Sequence, residues 1–364
     1  MTLVDEARRQ LDICNACRYC EGYCAVYPAL ERRVQLSSGD LTQLANLCHD
    51  CRACYYACMY APPHEFALNP PQLLAQIRRE SYAELVPLAG LRRSFRAPLV
   101  VALVTAALLV IIGATRGLSV LWAGHRLAAS PYSVVPYPAL LALGIGAVVA
   151  SALLFGLGAR RYFASVGPRP AHSSPWRATA RALHAAATLE YLRSAGVECT
   201  YPDATESPAR RRLHQGLVGG VLLTLAATIV AGIEQDLASS PPPYGVVSAP
   251  VLLGLVGGAA MLLGGGGLAV LKRRADLAPA DAPSQSSDWA FLSALLVLAA
   301  SGLVTLFARL SPAYGALLAL HLAAVFSCFL LAPFTKFAHV VYRFLALVRD
   351  EEEREAERAA LAAH

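Results

Sequence analysis

Cys14-Asn15-Ala16-Cys17-Arg18-Tyr19-Cys20-Glu21-Gly22-Tyr23-Cys24 and Cys48-His49-Asp50-Cys51-Arg52-Ala53-Cys54-Tyr55-Tyr56-Ala57-Cys58 carry one spacing twice, C-x2-C-x2-C-x3-C. In bacterial two-cluster ferredoxins the close run wraps three corners of one cubane and the fourth cysteine ligates the other cluster. The pattern therefore assigns one [4Fe-4S] cluster to Cys14, Cys17, Cys20 and Cys58, and a second to Cys48, Cys51, Cys54 and Cys24. Paired C-x2-C units also build zinc sites, but a single tetrahedral ion has no use for four cysteines at this spacing in each repeat. The proline usual after the fourth cysteine is replaced by Ala25 and Met59, with Pro28, Pro62 and Pro63 following slightly later. The flanks Leu3 to Ile13, Leu41 to Leu47 and Pro71 to Tyr82 combine helix formers with helical apolar spacing. An all-α ferredoxin domain is expected.

Eight of the ten cysteines lie between residues 14 and 58, which suits metal ligation in a reducing compartment better than a secreted disulfide framework. Beyond them the composition changes. Of the 364 residues 15% are charged and 56% hydrophobic, with a mean hydropathy of +0.47, whereas soluble domains carry about 25% charge. Residues 1–96 hold 11 basic and 10 acidic side chains and Ala97 to Thr115 holds none. This divides a soluble domain, 1–96, from a membrane domain, 97–347, which is followed by a charged tail, 348–364. The net charge of +6 sits in short segments between apolar stretches, so it orients a membrane protein and does not mark a nucleic-acid binder.

Six stretches reach the length of about 20 residues that spans a bilayer: Ala97 to Thr115, Pro138 to Ala159, Gln215 to Ile233, Val246 to Leu271, Trp289 to Ala308, and Ala313 to Leu347, the last interrupted by Pro333 and Lys336. Arg92, Arg93, Arg96, Arg160, Arg161, Arg210 to Arg212, Lys272 to Arg274, Arg343 and Arg349 then fall on one side, against Arg116, Arg126 and Arg309 on the other. Because Lys and Arg resist translocation, the N-terminal domain, the segment 160–213 and the C-terminus are expected in the cytoplasm. Met1 to Ile13 has charges and no apolar run, so no signal peptide is expected there. Segment 160–213 contains a candidate helix, Trp176 to Ser194; segment 272–288 reads as a flexible linker, and the tail from Asp350 as a solvated helical end. Gly264 to Gly267 lies within a span and suits close helix packing; no flavin or nucleotide fingerprint of the G-x-G-x-x-G type is present. Cys199 and Cys328 read as packing residues, with a redox or ligand role the alternative for Cys199.

Ionisable groups within spans are candidates for function. His214 stands at the cytoplasmic mouth of span three, and His321 and His339 lie in span six, eighteen residues apart. In one continuous helix that interval is five turns, roughly 27 Å, and both imidazoles share a face. His214 and His339 are then at similar depth and suited to bracket one haem b. At the outer end of span three a partner for His321 is missing, since Glu234-Gln235-Asp236 stands there. His321 is left with a quinone headgroup, a hydrogen bond to another helix, or a second haem.

The two cysteine repeats, Phe66 to Pro71, Arg78 to Tyr82, Cys199-Thr200-Tyr201-Pro202, Arg211-Arg212-Leu213-His214 and Pro333 to His339 occur in this order over nearly the whole chain. In this it resembles the tricarballylate-utilisation iron-sulfur membrane subunit family, TcuB or CitB-like, and the last segment is similar to the haem helix of the respiratory nitrate reductase gamma subunit. The resemblance implies a subunit of the bacterial inner membrane. Such a subunit reoxidises the reduced flavin of a TcuA-like, FAD-dependent dehydrogenase and sends electrons to quinone, as part of a complex and not as a stand-alone enzyme. The same electron-transfer role for a precorrin-modifying flavoprotein of cobalamin synthesis, or for another respiratory donor, is the alternative. His214-Gln215 replaces a His-His pair and Gln235 replaces a histidine of the family pattern, which leaves the His214 and His339 pair intact.

Overall fold

The computed structural model describes residues 2–87, 97–123, 130–193 and 198–363. Arg92, Arg93, Arg96 and Arg126, expected to help orient the chain, and the expected domain boundary at 96 lie outside the described residues.

The N-terminal domain consists of α1 (Leu3–Cys17), α2 (Val26–Glu31), α3 (Ser38–Leu47), α4 (Ala53–Tyr56) and α5 (Pro70–Leu85). Its helix starts are encoded locally. Thr2 with Asp5 and Ser37 with Asp40 form reciprocal capping boxes, and Asn69 caps α5, which opens on two prolines that have no amide hydrogen to lose. Arg18 and Arg52 adopt left-handed backbone, ending α1 just after Cys17 and starting α4 just before Cys54. Leu11, Leu30, Leu44, Leu47 and Leu74 are almost wholly buried, each contributing about 1.5–3 kcal/mol by leaving water.

Six helices are long and apolar enough to cross a membrane: α6 (Ala97–Thr115), α7 (Tyr137–Ser165), α9 (Ala209–Asp236), α10 (Ala249–Arg274), α11 (Ala282–Phe307) and α12 (Tyr314–Leu331). Between α7 and α9 lie α8 (Pro175–Thr188) and a hairpin of β1 (Cys199–Thr200) and β2 (Glu206–Ser207), the antiparallel pair that is the sole sheet among the described residues. The spans form two groups. Ile112, Val134, Tyr314 and Leu318 join α6, α7 and α12, whereas Leu217, Met261, Leu292 and Leu295 join α9, α10 and α11; α11 packs on α12 to connect them. The α9–α10 pair is the closest because its seam has no side chains in the way: a Cβ on Gly264 would meet the Leu217 amide nitrogen at 2.5 Å and the Leu213 carbonyl at 2.6 Å.

The expected sixth span is not one helix. It ends at Leu331, passes through a 3₁₀ turn at Ala332–Phe334 and an extended Thr335, and resumes as α13 (Ala338–Ala362). Pro333 has no amide hydrogen to continue the ladder, and the extended Thr335 redirects the chain. His321 and His339 therefore stand on separate helices, and their five-turn alignment does not hold.

Two further expectations are corrected. The charged tail is not a solvated end: α13 packs on α3, α7 and α8, with Asp350 and Glu352 buried. Asp350 pairs with Arg32 and Arg354, Glu352 with Arg169 at 2.7 Å, and Glu353 with Arg33 at 3.0 Å. The linker is a structured strap, since Arg52 donates to the Asp276 carbonyl at 2.7 Å, Tyr56 to its carboxylate at 3.0 Å, and Asn69 to the Ala278 carbonyl at 2.8 Å. The two soluble-side parts thus clasp the N-terminal domain against one end of the bundle.

Removing the Asp350 carboxylate takes away the nearest partner of both Arg32 and Arg354 and leaves them to the more distant Glu353 and Glu351. Asp350→Ala is expected to lower stability by about 3 kcal/mol and to expose α13 to trypsin at Arg349. Thermal unfolding and limited proteolysis of the detergent-solubilised protein check it; an unchanged melting temperature would mean that the tail merely rests on the domain.

Candidate functional site

Cys14, Cys24 and Cys54 are surrounded by the partners that the exchanged pattern requires. Burial pushes Cys14 up to about 12, and the charges that add to the shift are those of Cys58, Cys20 and Cys17. Cys54 is raised by burial and then by Cys51, Cys24 and Cys48, and Cys24 by burial and then by Cys51 and Cys48. One neighbourhood is thus Cys14, Cys17, Cys20 and Cys58, the other Cys24, Cys48, Cys51 and Cys54. Cys17 is exposed and Cys48 and Cys51 are buried, so the first set faces outward and the second inward. Tyr27, buried, lies beside Cys14 and Cys20 of one set and Cys54 of the other.

These surroundings fit a metal cluster. Four closely spaced buried thiols resist ionisation when bare, and cationic iron reverses that preference by binding thiolates. Backbone donors are in place: Cys24 accepts from the amides of Val26 and Tyr27 at the start of α2, and Cys48 from the Asp50 amide at 3.4 Å. Among the described residues no three His, Cys, Asp or Glu side chains converge as ligands of one ion, whereas a cubane takes its thiolates at four separate corners.

The loop of the second set is gripped by cations. Arg78 of α5 donates to the carbonyls of Ala45 at 3.1 Å and Cys48 at 2.7 Å, and Arg343 of α13 to the same Cys48 carbonyl at 2.6 Å. Arg210 of α9 reaches the carbonyls of Asp50 and His49. Cys199 and Thr200 both donate to the Cys51 carbonyl at 3.2 Å, and Tyr201 lies between Arg52 and Arg210, 4.7 and 4.5 Å from its ring centroid. Cys199 is a buried packing and hydrogen-bonding residue of this lattice.

The same cations border the histidines. His339 is held well below its usual pKa, first by desolvation and then by Arg343, Lys336 and, among smaller contributions, His214, which makes the two imidazoles electrostatic neighbours. Its Nδ1 meets the Lys336 carbonyl at 2.5 Å; a proton there leaves Nε2 with a free lone pair, the arrangement a metal-ligating histidine requires. Nδ1 of His214 is buried with no hydrogen-bond partner among the described residues. His321 rests on α11: its Nδ1 is 3.0 Å from the Ser301 hydroxyl, and a Cβ on Gly302 would come within 2.9 Å of its ring. The hydrogen bond to another helix, one of its expected roles, is present.

Arg78 and Arg343 were legible only as parts of a motif and of a charge count. The missed signal is positional. Leu74, Ile77, Arg78, Ser81 and Leu85 form the buried stripe of α5, so Arg78 is a charge on an apolar face.

Comparison with known proteins agrees with these observations. The family described as Citrate utilization protein B matches residues 92–360, and the Citrate utilization protein B Fer4-like domain matches residues 7–84. Citrate utilization protein B of Escherichia coli is 37% identical over 355 residues, covering 94% of this chain and 91% of that protein. No solved structure matches. A ferredoxin-type iron-sulfur domain on six apolar helices makes the chain a multi-pass membrane protein for electron transport.

Arg78→Met keeps the length of the side chain, removes the donor of the Ala45 carbonyl and leaves the Cys48 carbonyl to Arg343 alone. A loss of about 1–3 kcal/mol is expected, together with faster bleaching of any iron-sulfur absorbance in air. Thermal unfolding and the visible spectrum measure both, and a parent-like decay rate would show that the clamp does not protect this loop.

Proposed function

The chain belongs to the citrate utilization protein B family, and from that premise we propose that it reoxidises the flavin of a partner FAD-dependent dehydrogenase. The partner acts on tricarballylate or a related tricarboxylic acid, and electrons pass through two [4Fe-4S] clusters and haem b to quinone. Bound clusters and haem supply one-electron carriers between a two-electron flavin and a two-electron quinone.

The observation that carries this reading is the shared cation lattice, in which Arg343 donates to the Cys48 carbonyl and also borders His339. Cys14, Cys17, Cys20 and Cys58 would hold the outward cluster, beside exposed Tyr19 and Met59 where a flavoprotein can approach. Cys24, Cys48, Cys51 and Cys54 would hold the inward one, and Tyr27 lies beside thiols of both sets. His214 and His339 would hold the haem from α9 and α13; α9 packs mainly on α10, which leaves its other side for a planar group. A bacterial inner-membrane location with both termini cytoplasmic is supported by Arg160, Arg161, Arg211, Arg212 and Lys272 to Arg274, which lie near the end bearing the N-terminal domain, against Arg116 and Arg309 on the opposite loops.

If the fourth ligands are exchanged, Cys58→Ser damages the cluster of Cys14, Cys17 and Cys20, and Cys24→Ser the other. EPR of the reduced single variants reads the outcome, and loss of the cluster within the same repeat overturns the assignment.

His214→Ala and His339→Ala should each abolish the same b-type absorbance band. In membranes, the flavoprotein with its substrate should reduce that band rapidly and a water-soluble quinone analogue should reoxidise it. Turnover that reduces quinone while the haem stays oxidised removes the haem from the route.

A further inference from the structure

A cleft of about 810 Å³ opens between α6, α11 and α12, roofed by α5 of the N-terminal domain. Its walls are apolar for most of their length: Val101 and Ala102 from α6, Phe291 and Ala294 from α11, Ala323 and Ala324 from α12. Both α6 and α11 pack on α12, whereas they have few or no contacts with each other, so the cleft is open sideways where lipid surrounds the bundle.

Polar groups gather at the end nearest the N-terminal domain. Asp288 bridges Lys336 and Lys272, the latter at 2.9 Å, and Asp288 and Lys336 both line the cleft. Arg78 lines it too, while donating at 2.7 Å to the Cys48 carbonyl. Two hydroxyls in the lining, those of Tyr82 and Ser327, are buried with no hydrogen-bond partner among the described residues, and Ser327 is only 3% exposed. Buried hydroxyls are normally paired, so a ligand with polar atoms at this end would complete them. On the other side, the Phe291 ring is 6.1 Å from that of His339.

We propose that this cleft is the quinone site, a placement that rests on the electron-transfer reading above. The headgroup lies under Arg78 between the Lys336–Asp288 pair and the Tyr82 hydroxyl, and the prenyl tail leaves between α6 and α11 into the lipid. A quinone matches the site at both ends, with two carbonyl oxygens that need donors and an apolar tail that needs a lateral exit. On reduction both C=O groups become C–OH and the ring becomes aromatic, taking two electrons one at a time along the proposed route through clusters and haem, and two protons from the aqueous side. The site is not the one the sequence pointed to: His321 does not line it and α9 forms none of its walls.

The test uses the holoprotein in lipid nanodiscs with a short-chain azidoubiquinone as photolabel. Label is expected on peptides of α11 or α12, displaced by excess unlabelled ubiquinone, and lost in Ala324→Phe, which fills the cleft. Tyr82→Phe removes a hydroxyl that has no partner among the described residues, so folding should be spared. It should raise KM for a water-soluble ubiquinone analogue about threefold to tenfold, with cluster EPR and haem spectrum unchanged. Label on α9, or label that ubiquinone does not displace, as for a crevice filled by lipid, overturns the site and leaves the function standing. A parent protein that neither binds nor reduces ubiquinone removes both.

Discussion

Three guanidinium groups from α5, α9 and α13 converge on the carbonyl oxygens of one loop, Cys48 to Asp50. They belong to segments separated by more than a hundred residues, so this one loop draws together α5, α9 and α13. The arrangement is electrostatically unusual. Buried Arg343 is pushed down to about 10 by desolvation and by the nearby Arg78 charge, because its partner is a carbonyl dipole and not a carboxylate. Buried cations without counter-ions are costly. What compensates them is the thiolate set beside them: the Cys48 charge is the largest favourable contribution at Arg78. Binding a cluster fixes those thiolates in the charged state, so the clamp and the inward cluster stabilise one another, and cluster loading should tighten the docking of the whole domain.

Much of this was legible in the chain because it is periodic or compositional. The cysteine spacing singled out the eight N-terminal thiols, and charge-free stretches located six spans, the sixth of which ends at Leu331 and not at Leu347. The misread portions share one cause, which is that their partners are distant in sequence. Ala313 to Leu347 is mostly apolar, with Lys336 and Arg343 its two charged side chains, and a proline inside a membrane helix is tolerated often enough that nothing local showed the chain leaving Leu331 for a new direction. Asp350 and Glu352 look solvated in a run of charges, yet Arg32 and Arg169 meet them across the fold. Likewise Pro279, Pro283 and the serines near 285 resemble a linker, while Asp276 and Asp281 anchor it to Arg52, Tyr56 and Arg79.

The basic residues show how one sequence signal can carry two meanings. Arg210 and Arg343 count toward the charge bias that orients a membrane protein, and the same side chains grip the loop of the inward thiol set. Arg211 differs: it pairs with Glu198 at 2.8 Å in a half-buried surface contact. Neutralising Arg211 removes charge bias and one half-buried ion pair away from the thiols, whereas neutralising Arg343 also strips a donor from the Cys48 carbonyl, so topology and cofactor retention are separable by choosing between them.

The break after span six gains its sense from the face of α13 that it exposes. His339, Arg343, Ala346 and Asp350 follow one another at intervals of four, three and four residues, and so share one side of the helix. The imidazole borders His214, the guanidinium holds the Cys48 carbonyl, the Ala346 carbonyl accepts from Gln43 at 2.9 Å, and the carboxylate seats Arg32. A straight continuation of α12 would keep these residues on the axis of the bundle, and the last three could not reach a domain that lies on its end. Pro333 and the extended Thr335 turn the helix so that a single rigid element carries the histidine nearest the spans, the clamp on the inward thiols and the anchor of the ferredoxin domain. Because the helix is rigid over these three turns, a shift of the domain at Asp350 must be felt at His339, which makes the spacing between the thiols and the imidazole a property of α13 and not of the lipid around it.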